Sequence, residues 1–265
     1  FVWLERRVSE TLAEAVNDSI QGLIKLQSLR RQYPYGKASA SIVGITNMDN
    51  QGVAGIEMSL QDSLSGDDGW AILQADALGR LQPSPEYPHQ DPNNGKNVAL
   101  TIDINYQTVV YQELEKAVHD YNADDAMAIV LSPKTGEILA MVNYPGFDPN
   151  NSEKYDAELV RNRTISDLYE PGSTFKAFSA VAALEEKVRK PDDKIFCENG
   201  QMKIYDQIIH DSKKHGMLTF RQVVEQSSNI GMIKTTDKLG SEKFYQYIRA
   251  FGFGSETGVD MKGEV

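Results

Sequence analysis

A proline-rich stretch in the first half of the chain limits how it can fold. Residues 83–97 contain Pro83, Pro85, Pro88 and Pro92, followed by Asn93-Asn94-Gly95. Proline lacks a backbone N–H and fixes φ, so this composition resists both helices and central strands. We therefore predict a linker at 83–97 that separates a first domain at 1–82 from a second at 98–265.

Length and composition are those of an ordinary globular protein. The chain has 265 residues, 40% of them hydrophobic and 25% charged, which allows one large domain or two smaller ones. Its net charge of −11 argues against nucleic acid as a partner, because binding to phosphates depends on clustered lysine and arginine. The single cysteine, Cys197, cannot form an intrachain disulfide, and we expect it to be half-buried.

The start of the chain carries neither an apolar run of about 20 residues nor a signal-like sequence with a basic beginning. It opens on Phe1-Val2-Trp3-Leu4, without an initiator methionine. We therefore expect an upstream segment of the natural protein to be missing.

The first domain alternates between helical and strand-like periodicity. Apolar residues at helical spacing from Leu12 to Leu23 predict an amphipathic helix. We also predict a strand at 38–46, a helix at 52–64 and a hairpin at 70–81 that turns near Leu78-Gly79. We therefore expect a small domain that contains both helices and strands.

The second domain is predicted to interleave helices with apolar strands. Strands are predicted at 98–103, 126–132 and 137–142, and the last two are apolar enough to be central strands covered by helices on at least one face. Helices are predicted at 105–121, with Asn105 as N-cap, and at 173–188, 218–226 and 230–239, with helical patterning through Phe251. The fold class is therefore α/β to α+β, with more than one domain.

A hydroxyl and an amine stand one helical turn apart in Ser173-Thr174-Phe175-Lys176, so both side chains leave the same face. A serine becomes a nucleophile when a base takes its proton, and lysine can be that base if its pKa is lowered. Ser-x-x-Lys alone is weak evidence, since about one is expected by chance at average residue frequencies. Here it follows the breaker pair Pro171-Gly172 and opens an apolar helix. Ser173 and Lys176 are therefore candidate catalytic residues.

A second polar cluster, Ser227-Ser228-Asn229, lies between two predicted helices. Taken by itself, it is explained equally well as a turn that joins them.

These motifs together resemble the penicillin-binding proteins, specifically the monofunctional class B transpeptidases that cross-link peptidoglycan. The most specific stretch runs from Arg161 to Lys176 and looks like the family's approach to its catalytic serine, while Ser227-x-Asn229 matches the second motif. Tyr33-Pro34-Tyr35-Gly36 and Gly52-Val53-Ala54-Gly55-Ile56-Glu57 are similar to the family's non-catalytic pedestal domain. The resemblance implies a pedestal domain of the penicillin-binding protein dimerisation type, followed by an incomplete, β-lactamase-like serine transpeptidase domain.

The family's third motif, Lys-Thr/Ser-Gly, does not occur after Asn229. Lys134-Thr135-Gly136 matches this motif in sequence, but it precedes the candidate serine and lies between two apolar strands. We therefore predict a hairpin connection there. We therefore expect the chain to be truncated before the third motif. Turnover by the chain alone would be impaired, because losing one oxyanion donor costs about 2.7–4 kcal/mol.

The resemblance also implies residue roles. Ser173 would attack the penultimate D-Ala of a stem peptide, with Lys176 as general base. Ser227 would relay a proton to the leaving amine, and Asn229 would orient the substrate backbone. β-Lactam antibiotics would acylate the same serine. No cofactor is implied, and His210 and His215 around Asp211 lack a convincing third ligand for a metal.

The family's setting is extracytoplasmic, on the bacterial plasma membrane, with a single-pass anchor absent from this sequence. The implied partners are peptidoglycan stem peptides, a membrane glycosyltransferase and proteins of the division or elongation machinery. We favour the division branch because residues 161–176 and Ile45-Thr46-Asn47 look closer to it.

Two alternatives remain open on the sequence. A β-lactamase or a β-lactam-sensing receptor shares the serine, the lysine and the second motif, although a β-lactamase has no need of the pedestal-like residues 1–82. A non-catalytic scaffold that docks cell-wall synthesis proteins would instead leave Ser173 idle.

Overall fold

Helices and short strands alternate along the chain in the computed structural model, which describes residues 2–16, 20–26, 28–77, 80–83, 86–151 and 156–264. The helices of the first part are α1 (Glu10–Ala15), α2 (Gly36–Val43), α3 (Gly55–Ser59), α4 (Gln61–Leu64), α5 (Ile104–Tyr121), α6 (Ala157–Val160) and α7 (Arg163–Ser166). Those that follow are α8 (Lys176–Glu185), α9 (Phe220–Glu225), α10 (Asn229–Leu239) and α11 (Ser241–Ala250). Among the described residues, Gly172–Phe175 and Glu198–Gly200 form 3₁₀ turns.

Each strand pairs antiparallel with one other. The strands are β1 (Trp70–Ala71), β2 (Leu73–Ala75), β3 (Leu81–Pro83), β4 (His89–Gln90), β5 (Ala126–Leu131), β6 (Ile138–Tyr144), β7 (Lys194–Phe196), β8 (Gln201–Ile204), β9 (Gln207–His210) and β10 (Met217–Thr219). Within the described ranges the pairs are β1 with β4, β2 with β3, β5 with β6, β7 with β10 and β8 with β9. The mixture of helices and antiparallel strands agrees with the α+β side of the predicted fold class.

The chain divides into two compact units, Phe1–Asp167 with Asp260–Val265 and Leu168–Val259. In the first unit, α2 packs against α3, α5 and β6, around a core that includes Ala40, Ile45 and Phe147. A fully buried glutamine, Gln107 of α5, joins these elements: its Nε2 donates to Ala38 O at 2.8 Å and to Met141 O at 2.9 Å. Packing in this unit therefore crosses the predicted 83–97 linker, and the division into domains there remains a prediction.

The second unit has its own core. It includes Phe220, Val223 and Ile230 from α9 and α10 and Cys197 after β7, all of which are buried. Cys197 is fully buried, more than the half-buried position we expected. Gly231 lies where α10 crosses α9, and a Cβ added to it would lie 2.5 Å from Val223 Cγ2. The close approach of these two helices therefore requires a residue without a side chain.

Several predicted elements are confirmed. The helix expected at 105–121 is α5, although Asp103 rather than Asn105 caps it, because the Asp103 side chain accepts from the N–H groups of Asn105 and Tyr106. Strands β5 and β6 form the expected hairpin, in which Ser132 N–H donates to Glu137 O at 2.9 Å and Gly136 takes a φ of 77°. Lys134-Thr135-Gly136 is thus a hairpin connection. The helices predicted at 218–226 and 230–239 correspond to α9 and α10, and the patterning through Phe251 to α11.

Two predicted strands are wrong. Residues 38–46 mostly form helix α2, because small residues such as Ser39 and Ala40 let its backbone pack closely against neighbouring elements. Residues 98–103 form no strand, because isolated hydrogen bonds, and not a regular backbone ladder, join this segment to the β5–β6 hairpin. Thr101 Oγ1 donates to Ile138 O at 2.7 Å, and Asp103 N–H donates to Leu139 O at 2.9 Å.

Other predicted elements are altered. The first helix is shorter than expected, since α1 ends at Ala15 and Val16 is extended. The helix predicted at 52–64 divides at Leu60 into α3 and α4. The turn predicted near Leu78-Gly79 lies outside the described residues, while β2 and β3 on either side of it do pair. Where the structure describes the chain, β5 and β6 pair only with each other, so neither is the central strand that we predicted. Helix α5 packs against both strands, and Met127, Ile129 and Leu131 leave one face of β5 exposed, which agrees with a helix on at least one face.

Candidate active site

Ser173 lies at the start of the helix that the sequence indicated, but that helix begins with a tighter turn. The 3₁₀ turn Gly172–Phe175 leads directly into α8, and Ser173 is exposed there. The first backbone N–H groups of a helix have no acceptor within the helix. Ser173 therefore presents a hydroxyl beside backbone donors that are free to bind a developing negative charge.

Four oxygen atoms surround the ammonium nitrogen of Lys176. Nζ lies 3.2 Å from Ser173 Oγ, 3.1 Å from Ser227 Oγ, 2.7 Å from Ser227 O and 2.5 Å from Asn229 Oδ1. The structure thus brings all four sequence-predicted site residues to one nitrogen, although Ser227 and Asn229 come from a different part of the chain.

Two of the four oxygens, Ser227 O and Asn229 Oδ1, determine how the N–H groups of Lys176 are oriented. Ser227 O and Asn229 Oδ1 carry no proton, so they can only accept from Nζ. A neutral amine has two N–H groups and one lone pair. With both N–H groups donated to these two oxygens, the lone pair is left for a serine hydroxyl. The arrangement therefore suits a lysine that takes a proton from Ser173.

Burial lowers the pKa of Lys176, and the negative charge of Asp211 opposes this by raising it. Desolvation is the larger of the two effects. It disfavours the ammonium form, which increases the fraction of neutral amine at a given pH. This is the direction that a general base requires.

The turn before α10 has an unusual backbone. Ser227 has a φ of 55°, in the left-handed region, which non-glycine residues seldom occupy. This conformation directs both its carbonyl and its hydroxyl to Lys176. Ser228, which is 1% exposed, follows as the N-cap of α10, and its Oγ accepts from Gly231 N–H at 3.0 Å.

The end of β9 fixes the orientation of Asn229. Its Nδ2 donates to His210 O at 2.7 Å, so the amide oxygen must be the atom that faces Lys176. Next to it, the Asp211 carboxylate accepts from Ser228 Oγ at 2.7 Å and from Ile230 N–H at 3.1 Å. Sequence reasoning considered His210 and Asp211 only as metal ligands. The signal that it missed is a carboxylate directly after a strand, placed to bind the N-terminus of a later helix.

Aromatic packing supports the other end of the site. The Phe175 ring lies 4.9 Å from that of Phe253 and 6.3 Å from that of Phe244, centroid to centroid, in edge-on arrangements. Phe178, one turn along, contacts Phe251 and Phe253. The start of α8 is therefore held by rings from α11 and the turn after it.

Metal ligands are not gathered at this site. In the part of the chain that the structure describes, no three His, Cys, Asp or Glu side chains are grouped to hold an ion. Nor do the helices in the described ranges combine the length and apolar character that a membrane crossing requires.

Comparison with protein families identifies the class of protein that this fold and site define. Residues 126–265 match the penicillin binding protein transpeptidase domain, and residues 2–100 match the penicillin-binding protein dimerisation domain. The chain belongs to the penicillin-binding proteins. The presence of both domains confirms the resemblance to class B members and the predicted combination of folds.

Its curated relatives are longer proteins. The chain is 34% identical over 266 residues to the probable peptidoglycan D,D-transpeptidase PenA of Neisseria meningitidis, which covers 100% of the chain and 45% of the relative. It is 35% identical over 264 residues to stage V sporulation protein D of Bacillus subtilis and 33% identical over 265 residues to the peptidoglycan D,D-transpeptidase FtsI of Escherichia coli. These alignments cover 98% and 100% of the chain and 41% and 44% of the relatives. The chain thus spans less than half the length of these relatives.

Solved structures agree in fold. Penicillin binding protein 3 of Mycobacterium tuberculosis superposes with a TM-score of 0.76 at 32% identity, over 89% of this chain and 50% of that one. The same protein has been solved in complex with aztreonam and with ampicillin, each with a TM-score of 0.76.

Proposed function

We propose that the protein is a peptidoglycan D,D-transpeptidase that works through an acyl-enzyme on Ser173. The observation that carries the proposal is the position of Lys176 Nζ, which lies within 3.2 Å of both Ser173 Oγ and Ser227 Oγ. A nucleophile, a base and a second hydroxyl that can pass on a proton are the groups that acyl transfer requires. The names of the PenA and FtsI relatives support the same activity.

In the first half-reaction, Ser173 Oγ attacks the carbonyl carbon of the penultimate D-Ala, and its proton moves to the neutral amine of Lys176. The tetrahedral intermediate then collapses, and the bond to the terminal D-Ala nitrogen breaks. Ser227 passes the proton from Lys176 to that nitrogen, so D-Ala leaves as a neutral amine. The backbone N–H of Ser173 would bind the oxyanion, together with a donor from the third-motif strand.

In the second half-reaction, an amine from a neighbouring peptidoglycan strand attacks the acyl-enzyme. Its proton returns through Ser227 and Lys176 to Ser173 Oγ as the ester bond breaks. An amide bond between two stem peptides forms and the serine is regenerated. Asn229, whose Nδ2 donates to His210 O and whose Oδ1 accepts from Lys176, would orient the substrate backbone.

β-Lactam antibiotics would react at the same serine, because a strained ring amide presents the same carbonyl without a leaving group that can diffuse away. The complexes of Mycobacterium tuberculosis penicillin binding protein 3 with aztreonam and ampicillin support this part of the proposal.

The setting follows from the substrate. Peptidoglycan lies outside the plasma membrane, so the whole protein would be anchored there with these domains extracytoplasmic. It would act with a membrane glycosyltransferase and proteins of the division machinery. Residues 1–82 would form a pedestal domain, 83–97 a linker and 98–265 the beginning of the transpeptidase domain.

The test is intact-protein mass after incubation with a penicillin, on this chain and on the whole protein that contains it. We expect one covalent adduct on the whole protein, with no adduct on its Ser173→Ala variant. Ser241→Ala is the matched control, because Ser241 is an exposed serine at the start of another helix of the same unit, and it should retain the adduct. An adduct that persists in Ser173→Ala would overturn the assignment of the nucleophile.

A further inference from the structure

Asp211 touches neither Ser173 nor Lys176, yet it contacts the segment that carries two of the site residues. It follows β9 directly, and its backbone N–H donates to Gly200 O at 3.1 Å, which fixes its position. One carboxylate oxygen accepts from Ser228 Oγ and the other from Ile230 N–H. Both oxygens are therefore bound to the start of α10.

These two bonds span the residue that faces Lys176. Ser228 and Ile230 flank Asn229, so the carboxylate holds the chain on either side of it. The same hydroxyl of Ser228 also accepts from Gly231 N–H, which joins the carboxylate to the N-cap of α10. A negative charge at a helix N-terminus is stabilised by the helix dipole, so the contact is favourable where it stands.

The left-handed conformation of Ser227 needs such support. A non-glycine residue with a φ of 55° keeps that conformation only where its surroundings determine it. Ser227 is followed at once by the residue that Asp211 holds through its side chain. Without that bond, the turn can relax and withdraw both Ser227 oxygens from Lys176.

We propose that Asp211 is a positioning residue of the active site, which acts through Ser228 and the backbone of Ile230 to place Ser227 and Asn229 on Lys176. The inference rests on the acyl-enzyme reaction proposed above. The Asp211 side chain does not contact the reacting atoms, but its charge is close enough to raise the pKa of Lys176.

The charge of Asp211 should affect the pH dependence of the reaction, which a residue that acts through packing alone would not do. Elements α9, α10 and α11 pack against α8, but their charged side chains are engaged elsewhere or exposed: Lys234 pairs with Glu198, Lys243 pairs with Glu186, and Glu225 is exposed. His210 faces the site with its carbonyl. Among the described residues, Asp211 is the one whose charge shifts the pKa of Lys176, and it raises it.

The test compares Asp211→Asn with wild type in the whole protein, by the rate constant of penicillin acylation measured across pH. Asparagine keeps the size and one acceptor but loses the charge. We expect acylation to slow by about 10- to 100-fold, since small displacements of catalytic groups have effects of that order. We also expect the pH midpoint of the rate to move to lower pH, because the carboxylate no longer raises the pKa of Lys176.

Two further variants separate geometry from charge. Ser228→Ala removes the bond to Asp211 and leaves the carboxylate, so it should slow acylation with the pH midpoint unchanged. Asp206→Asn is the matched control, because Asp206 is an exposed carboxylate in the β8–β9 connection, and it should change neither quantity.

Each outcome decides one question. A wild-type rate in Asp211→Asn overturns the inference, and so does a slower rate with an unmoved pH midpoint, which would mean a structural role only. If Asp211→Asn fails to fold, Ser228→Ala still tests the positioning step, and a wild-type rate in that variant overturns it. Absence of any adduct on the wild-type protein would instead reject the proposed function.

Discussion

Lys176 is the residue on which the site depends, because its nitrogen joins Ser173 to Ser227 and Asn229. A lysine in water is protonated at neutral pH and cannot act as a base. Here partial burial lowers its pKa, while two oxygens without protons bind its N–H groups. Burial therefore increases the fraction of the neutral form that the proposed reaction uses, while the two acceptor oxygens orient the amine.

This environment predicts a pH dependence of acylation. Below the lowered pKa, Lys176 is an ammonium and the rate is low; above it, the neutral amine accepts the serine proton and the rate reaches a plateau. We expect a midpoint below the ordinary lysine value of 10.5. The measurement is the rate of penicillin adduct formation over a pH series on the whole protein.

Lys176→Arg is the control for that profile. Arginine keeps the positive charge but stays protonated, so it cannot serve as the base. Acylation should fall by about 10²- to 10⁴-fold, the usual contribution of general acid–base catalysis. A variant that keeps the wild-type profile, or a wild-type midpoint at or above 10.5, would contradict the role of Lys176.

At the scale of elements, the site depends on how α9 and α10 are placed, since the turn between them carries Ser227. The two helices approach closely at Gly231, against the fully buried side chain of Val223. Valine is stiff at χ1, so it cannot easily move aside. The packing of these helices therefore sets the position of the turn.

Gly231→Ala tests this packing. Overpacking costs about 1–3 kcal/mol, whereas alanine gains about 1 kcal/mol over glycine in a helix, so a net loss on the order of 1 kcal/mol is expected. Urea unfolding measures it. Adding Val223→Ala to the variant should relieve the clash, and Lys238→Ala, an exposed change on the same helix, should stay within about 0.5 kcal/mol. A Gly231→Ala protein as stable as wild type would refute the argument.

The sequence predicted helices better than strands, for physical reasons. Helix α5 and the β5–β6 hairpin have strong local patterns, and both were predicted within a few residues. The segment at 38–46 reads as a strand by its alternation, but its small residues make a closely packed helix. Strands β7 to β10 are short and partly exposed, so periodicity gave no signal for them.

The site could be predicted in part for a similar reason. Ser173 and Lys176 are one helical turn apart, so local spacing reveals them. Ser227 and Asn229 emerged through the family resemblance, because no local rule places them near Lys176. Asp211 was missed as a positioning group, since its partners Ser228 and Ile230 are distant in sequence.

At the scale of the whole molecule, the two compact units have separate cores. In the first unit, Gln107 satisfies buried backbone groups of two other elements, and its Oε1 also accepts from Met141 N–H at 2.8 Å. The polar contacts of that one side chain therefore contribute to the first core and not to the core around Val223.

Gln107→Leu should lower the stability of the first unit selectively. The substitution removes the acceptor of the buried Met141 N–H, while Met141 O keeps the Ser41 hydroxyl as a donor, so a cost of about 1–3 kcal/mol is expected. Native-state hydrogen exchange should show lost protection in α5 and β6, with protection of α9 and α10 preserved. Glu113→Ala, an exposed change on α5, is the control and should leave both units unchanged. Equal loss of protection in both units would contradict the separation of the cores.

The most direct test of the central claim is to locate the acyl group after reaction of the whole protein with a penicillin. Trypsin cleaves after Arg163 and Lys176, so the peptide 164–176 contains Ser173 together with Ser166, Thr164 and Thr174. Fragmentation of this peptide by mass spectrometry should place the penicilloyl mass on Ser173. An acyl group on any other residue, or an unmodified 164–176 peptide in a protein that carries an adduct, would contradict the account.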